Sequence, residues 1–262
     1  FFHQKGFISN MSRRYDSSTT TFSPEGRLHQ VEYAIEAINE AGTSVGLLAT
    51  DCIVLAAVKK TGSSTLLAPQ KASEKLYKID DHITTVVAGL TSDANVLIDN
   101  ARITSQRYTY TYQEPMPVEQ LVQRVSNIKH TYTQFGGQRP FGVAFLFAGW
   151  DIHYGYQLYV TDPSGNYSGW KASCIGQNNQ AGKSLLKNEF EEGMDLAAAK
   201  KLAVKVMMKT MDGGTATADR LECCVLSKDT ESDTLVQRII PEDEVAAIIA
   251  ELAAAGASEG DA

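Results

Sequence analysis

The chain has 262 residues, of which 43 % are hydrophobic and 21 % are charged. This composition is ordinary for a globular protein with a sizeable core, and it excludes wholesale disorder. The formal net charge of −7 argues against a general binder of nucleic acids or anionic membranes, because both reward clusters of Lys and Arg. No apolar run approaches the roughly 20 residues that span a bilayer.

The first ten residues contain neither the apolar core nor the small-residue cleavage site of a secretory signal. We expect Met11 to be the natural start and residues 1–10 to be an extension upstream of it. We therefore expect a cytoplasmic and nuclear protein.

A polar leader, residues 11–22, precedes the first predicted helix. Ser23 can cap this helix through its hydroxyl group, and Pro24 suits the first helical position because its missing N–H needs no partner there. Glu25 follows where the helix dipole favours an anion. An apolar stripe at helical spacing continues the pattern, made of Leu28, Val31, Ile35 and Ile38.

The rest of the chain is predicted as separate blocks of strands and helices. The predicted strands are 44–49, 52–59, 82–90, 141–150, 156–161, 166–175, 220–227 and 235–239. The predicted helices are 91–108, 117–135, 178–190, 195–209 and one that begins at 241. Such blocks favour an α+β fold of mostly antiparallel strands over alternating βαβ units. We predict one domain, residues 23–255, and a frayed acidic tail, residues 256–262.

Four cysteines lie along the chain, without the Cys-x-x-Cys or Cys–His spacing of a metal site. Cys52, Cys174, Cys223 and Cys224 are therefore expected to be buried free thiols. Cys223 and Cys224 are neighbours in a predicted strand, so their side chains should point to opposite faces. We expect neither a metal nor a cofactor.

The segment Gly176–Ser184 follows a predicted strand and precedes a helix, as a phosphate-binding loop does. That motif needs four residues between its glycines, whereas five separate Gly176 from Gly182. The pattern favours a capped helix start after a glycine turn. A nucleotide-binding module is the alternative, and stabilisation of the chain by ATP would support it.

The string F-S-P-E-G-R-L-x-Q-V-E-Y-A, residues 22–34, resembles the N-terminal signature of proteasome alpha subunits. Further resembling segments are 73–79, 89–94, 132–142 and 162–165. The resemblance extends from about Met11 to Leu252. It implies a four-layer α-β-β-α sandwich of the N-terminal nucleophile hydrolase type.

The resemblance also implies a non-catalytic subunit in a seven-membered alpha ring that caps the 20S proteasome barrel. Its partners would be neighbouring alpha subunits, beta-ring subunits, the C-termini of activators or of the regulatory particle, and unfolded protein substrates in transit. Its role would be to assemble the barrel, gate substrate access and dock regulators in ubiquitin-dependent protein degradation.

The resemblance assigns a gate cluster to Tyr15, Asp16, Pro24 and Tyr33, which would hydrogen-bond across neighbouring subunits. The leader would contribute to a plug over the axial pore. Family members often carry arginine after Tyr-Asp, whereas this chain has Ser17. The salt bridge of that arginine is then missing, and the cluster should close less tightly at this subunit.

Lys75 corresponds in the resemblance to the lysine that receives the C-terminal carboxylates of activators. A cation is a fitting partner for a carboxylate. The alternative is a solvated lysine at a strand edge.

An active threonine peptidase of the same fold is the main rival hypothesis. Thr43 opens the first predicted strand, where such enzymes carry a nucleophile that is activated by its own free amine. Lys75 falls near the position of the required lysine, but Val58 or Lys59 stands where the carboxylate is needed. The sequence therefore favours an inert Thr43; an active enzyme would be processed so that it starts at Thr43.

Overall fold

The structure is a computed structural model that describes residues 20–59, 75–211, 217–229 and 234–259. Its helices are α1 (His29–Asn39), α2 (Thr91–Tyr112), α3 (Val118–Gln134), α4 (Asn179–Glu189), α5 (Leu196–Thr210) and α6 (Glu242–Glu259). Its first five strands are β1 (Ser44–Leu48), β2 (Cys52–Val58), β3 (Leu76–Asp80), β4 (Ile83–Gly89) and β5 (Val143–Asp151). The others are β6 (Gly155–Thr161), β7 (Tyr167–Gly169), β8 (Ala172–Ile175), β9 (Leu221–Lys228) and β10 (Leu235–Ile239).

The strands form two five-stranded sheets. The first sheet has the order β10-β9-β2-β1-β8, and the second has the order β3-β4-β5-β6-β7. Every pairing in both sheets is antiparallel. The prediction of an α+β fold built on antiparallel strands is confirmed.

Three apolar layers hold the sheets and helices together. Alternate residues of β2 divide between two of them, because successive side chains of a strand point to opposite faces. Ile53 and Leu55 face the second sheet, whereas Val54 packs towards α4, α5 and α6. Phe145 and Phe147 of β5 pack against α2 and α3 on the far side. The molecule is therefore a four-layer α-β-β-α sandwich, as predicted.

The predicted strand 166–175 is in fact two strands that belong to different sheets. Trp170 donates its backbone N–H to Leu158 of β6, 2.8 Å away, whereas the carbonyl of Lys171 accepts from Leu48 of β1 at 2.7 Å. The chain thus crosses from one sheet to the other between Trp170 and Lys171. The residue pattern could not indicate this crossing, because the backbone is extended on both sides of it.

β3 was not predicted from the sequence. Only Leu76 and Ile79 of this strand are buried, and its register with β4 shifts between Lys78 and Asp80. A short, mostly polar strand with an irregular register leaves no alternating pattern to detect.

The C-terminal helix α6 extends to Glu259, beyond Gly256 where the frayed tail was expected to begin. The four cysteines are buried and free, as predicted. Cys223 joins the layer under α5, whereas Cys224 lies between the sheets, so the two thiols do face opposite sides. Among the helices of the described residues, none combines the length and the apolar character needed to cross a membrane.

Candidate functional site

Thr43 lies directly before β1, at the position where threonine peptidases of the same fold would carry their nucleophile. Its hydroxyl donates to the carbonyl of Gln177 at 2.8 Å, and its carbonyl accepts from the N–H of Val58 at 2.9 Å. Only 2 % of Thr43 is exposed. Its nitrogen is an amide, because Gly42 precedes it in the chain. The hydroxyl therefore has neither a free amine beside it nor open access to solvent.

Lys75 comes directly before β3 and reaches this strand opening. Its Nζ donates to the carbonyl oxygen of Gly42 at 2.5 Å, and its backbone N–H donates to Oε2 of Glu222 at 3.2 Å. The sequence placed Lys75 near the lysine of a threonine hydrolase, and the structure brings the two segments together.

An apolar side chain, Val58, lies at the same strand opening as Lys75. A Cβ atom placed on Gly42 would lie 3.0 Å from Nζ of Lys75 and 3.7 Å from Cβ of Val58. Val58, one of the two residues that the sequence offered at the carboxylate position, therefore lies at the same strand opening as the lysine. A valine at this position can neither orient the ammonium group nor accept its proton.

The segment before α1 folds differently from the prediction. Ser23 and Arg27 exchange hydrogen bonds: the N–H of Ser23 donates to the Arg27 carbonyl at 2.9 Å, and the N–H of Arg27 donates to the Ser23 hydroxyl at 3.2 Å. Gly26 inside this turn has φ = +76°. A left-handed residue interrupts a right-handed helix, so the predicted helix start at Ser23 and Pro24 is wrong and α1 begins at His29.

Pro24 and Tyr33, two members of the predicted gate cluster, are both exposed. The ring of Tyr33 stacks on His29 with centroids 6.3 Å apart, and Arg27 pairs with Glu32 at 2.6 Å beside it. The other members, Tyr15 and Asp16, lie outside the described residues, as do residues 1–10 and the leader up to residue 19. The cluster as a whole stays a prediction.

The segment Gly176–Ser184 forms the turn and helix start that its spacing favoured. Asn178 precedes α4 with φ = 52° and its side chain makes no capping hydrogen bond, so the predicted helix cap is wrong. The preceding strand β8 pairs antiparallel with β1 rather than in a parallel βαβ unit. The context of a phosphate-binding loop is therefore missing.

The layers and the altered strand opening define a non-catalytic relative of the threonine hydrolases. Residues 38–226 match the family model described as "Proteasome subunit", and residues 15–37 match the model of the N-terminal signature of alpha-type proteasome subunits. The chain therefore belongs to the proteasome subunit family, as an alpha-type, non-catalytic member of the 20S core.

Individual relatives agree with this assignment. The chain is 60 % identical over 212 residues to the alpha type-4 proteasome subunit of Spinacia oleracea, a match that covers 81 % of this chain and 84 % of the relative. It is 59 % identical to the alpha type-4-A proteasome subunit of Arabidopsis thaliana, with the same coverage. It is 58 % identical to the alpha type-4 proteasome subunit of Petunia hybrida, covering 81 % of this chain and 85 % of the relative. Residues 113–115 and 149–151 also resemble this type.

Proposed function

We propose that this chain occupies the third position of the alpha ring, where it gates substrate access to the 20S barrel and docks regulators. The 20S barrel that it gates would act in ubiquitin-dependent protein degradation in the cytoplasm and the nucleus. The single observation that carries the proposal is the match of residues 15–37 to the alpha-type N-terminal signature, which is the segment that joins the leader to α1.

The composition of the leader supports the gating role. Residues 17–21 are all Ser or Thr, which have little apolar area to fix them in one conformation. Where the described chain begins, Thr20 approaches Gly136: a Cβ atom on that glycine would lie 3.4 Å from the Thr20 hydroxyl oxygen. A segment of such short polar side chains can change conformation at little free-energy cost.

The turn formed by residues 23–27, which follows the leader, supports the same gating role. Ser23 and Arg27 are joined by hydrogen bonds in both directions, so the turn is a fixed support from which the leader departs. A gate needs a fixed support of this kind, because only the leader has to move.

Deletion of residues 11–21 tests the gating role. The assembled particle should hydrolyse small fluorogenic peptides faster than the unmodified particle, while the ratio of rates among different peptides stays constant. The matched control removes the other terminal segment, residues 256–262, and should leave basal hydrolysis unaltered. Equal basal rates for the leader deletion and the unmodified particle would refute the gating role.

The location of the chain is tested separately. A fluorescent tag on this chain should appear in both the cytoplasm and the nucleus, together with tagged beta-ring subunits. A signal confined to one compartment would contradict the proposed location but not the gating role.

A further inference from the structure

The loop that joins α3 to β5, residues 135–142, contacts the chain at the base of the leader. We call it the α3–β5 loop. Thr20 is the first residue that the structure describes, and it lies against Gly136 of this loop. Chain neighbours aside, the Thr20 hydroxyl oxygen is the only described atom within 4 Å of a Cβ atom placed on Gly136. The α3–β5 loop therefore supports the chain where the leader departs from the folded domain.

Both ends of the α3–β5 loop are fixed. At its start, the N–H of Phe135 donates to the carbonyl of Thr131 at 3.0 Å and closes the last turn of α3. At its end, Phe141 is buried, and its ring centroid lies 4.5 Å from that of Tyr132. Packing of one aromatic ring on another holds this end in a single place.

The middle of the α3–β5 loop has little packing of its own. Gly137 has φ = 96°, which glycine adopts easily, and a Cβ atom on it would meet no described atom within 4 Å apart from its chain neighbours. A cavity of about 260 Å³ adjoins the loop and is lined by Thr131, Tyr132, Phe135, Gly136 and Gln138. The two glycines therefore take the position that the residues on either side of them impose.

Arg139 imposes that position by binding Asp93. Its Nη1 and Nη2 donate to the two carboxylate oxygens at 2.6 and 2.9 Å, and Nη1 also donates to the carbonyl of Pro140 at 3.1 Å. The N–H of Gly142 donates to the same carboxylate at 2.9 Å. A bidentate pair of this kind fixes orientation as well as distance.

Asp93 is the stationary member of the pair. Its side chain is 10 % exposed, whereas that of Arg139 is 59 % exposed. Asp93 lies in the first turn of α2, and Ala94 and Leu97 of the same helix belong to the apolar layer under the second sheet. The carboxylate therefore positions the arginine, and with it the loop, relative to the core.

We propose that the Asp93–Arg139 pair positions the gate, because it holds the α3–β5 loop where Gly136 supports Thr20 and thereby favours the closed conformation of the leader. Both are positioning residues, since they act through the loop. The Ser and Thr residues of the leader have little apolar area, so its conformation depends on contacts at its base. This inference rests on the proposed gating role and names residues that control it.

Peptide hydrolysis by particles that carry Arg139→Met tests the proposal. Their basal rate should rise about threefold or more, because without the pair the loop shifts and the leader populates open conformations. The same substitution should leave the rate unaltered in particles that also lack residues 11–21, because no leader remains to be positioned. The control is Arg102→Met on α2, an exposed arginine that pairs with Asp99 at 3.3 Å, which should keep the basal rate.

The leader deletion separates this inference from the gating role. If the deletion raises the basal rate and Arg139→Met does not, the inference is wrong and the gating role stands. If Arg139→Met raises the rate equally with and without the leader, the pair acts on another part of the particle, which also overturns the inference. If the deletion itself has no effect, the gating role fails and the inference fails with it.

Arg139→Lys gives a graded test of the pair. Lysine retains the charge but cannot form two parallel hydrogen bonds with one carboxylate, so its basal rate should lie between those of the unmodified particle and Arg139→Met. A rate as high as that of Arg139→Met would contradict the role given to the charge.

Gly136→Val tests the contact with the leader and leaves the pair intact. The added side chain would displace Thr20, since its Cβ atom alone would lie 3.4 Å from the Thr20 hydroxyl oxygen. The basal rate should rise in particles that have the leader and stay constant in those without it. The control is Gln134→Val, an exposed position on the last turn of α3. An unaltered basal rate for Gly136→Val in fully assembled particles would overturn the proposal, even if Arg139→Met prevents assembly.

Discussion

The guanidinium group of Arg139 forms a bidentate ion pair with the carboxylate of Asp93. Nη1 lies 2.6 Å from Oδ2 and Nη2 lies 2.9 Å from Oδ1, while the N–H of Gly142 donates to Oδ2 at 2.9 Å. The pair joins the first turn of α2 to the loop before β5. These are two of the segments, 89–94 and 132–142, that carry the family resemblance in the sequence.

Removing the charge of Asp93 should therefore destabilise the fold. Hydrogen bonds from Arg139 lower the pKa of this carboxyl group, burial raises it, and the Gly142 bond lowers it again; the net effect is a lowered pKa. We expect Asp93→Asn to reduce the free energy of unfolding by about 1–3 kcal/mol at pH 7. Because the folded-state pKa is depressed, this contribution is complete above the unfolded value of about 4 and is lost as the pH falls.

Urea unfolding of both proteins at pH 7 and pH 3 measures this effect. Asp99→Asn, an exposed change on the same helix, is the control and should shift the unfolding free energy by less than about 0.5 kcal/mol. A difference between wild type and Asp93→Asn that is as large at pH 3 as at pH 7 would contradict the role given to the ionised carboxylate.

Lys129 of α3 is completely buried under the second sheet. Its Nζ donates to the carbonyl of Val143 at 3.0 Å and to the hydroxyl of Thr161 at 2.8 Å, and it lies 4.6 Å from the centre of the Phe145 ring. Burial lowers the pKa of this lysine to about 7, although the charge of Asp162 opposes the shift. An ordinary lysine in the unfolded chain has a pKa of about 10.4.

The contribution of Lys129 to stability should therefore rise as the pH increases above 7. Between pH 7 and about 10 the unfolded chain holds a proton on Lys129 that the folded chain has released, so the linkage slope is positive. The slope is at most about 1.4 kcal/mol per pH unit. Lys129→Met should remove this contribution, so its unfolding free energy should rise less, or fall more, than that of the wild type between pH 7 and 8.5; ionisation of the cysteines in the unfolded chain lowers the stability of both proteins alike.

The contribution of Lys129 is tested by measuring the unfolding free energies of the wild type and Lys129→Met at pH 7, 7.75 and 8.5. The exposed change Lys209→Met serves as control and should retain the wild-type slope. A folded Lys129→Met protein with the same pH slope as the wild type would show that Lys129 does not contribute to it.

The sequence predicts strands well where buried side chains form apolar runs, as in β2 and β5. It fails at Trp170, because the choice of sheet on either side of that residue depends on partners distant in the chain. It also fails at Ser23, where favourable helix-start residues are overridden by the left-handed Gly26. Local signals predict local structure, and tertiary contacts decide between alternatives of similar free energy.

The candidate site, too, could be predicted only in part from the sequence. Lys75 and Val58 could be placed through the family resemblance, but the contact from Lys75 to the Gly42 carbonyl depends on how the two sheets stack. Lys129 was missed, although it follows Val125 by four residues on the apolar stripe of its helix. That spacing was a usable signal, because a charged residue on a buried stripe must find partners inside the protein.

The four thiols should be inert in the folded protein. Burial raises the pKa of Cys52 and Cys224 to about 11 and of Cys174 and Cys223 to about 12. Because the thiolate is the reactive form, a thiol reagent at pH 8 should modify none of them rapidly. The same reagent in denaturant should titrate four thiols, which is the control. A thiol that reacts at once in the native protein would contradict the burial described here.

Lys75 should contribute to regulator docking by binding a carboxylate. A peptide that carries the C-terminal residues of an activator, a free carboxylate and a photoreactive group should label this chain in the particle. Lys75→Met should weaken that labelling by about 10-fold or more, because a hydrogen bond to a charged group contributes about 1.5–3 kcal/mol. The control is Lys78→Met on β3, the strand that directly follows Lys75; Lys78 is an exposed lysine that pairs with Asp81 at 2.6 Å.

An amide-capped version of the peptide shows whether the lysine recognises the carboxylate itself. Capping should weaken labelling of the unmodified particle to a similar extent as Lys75→Met does with the free acid. Capping should then have little further effect on the variant, because the two changes remove the same interaction. Two independent, additive losses would assign Lys75 a structural role at the Gly42 strand opening instead of a role in binding.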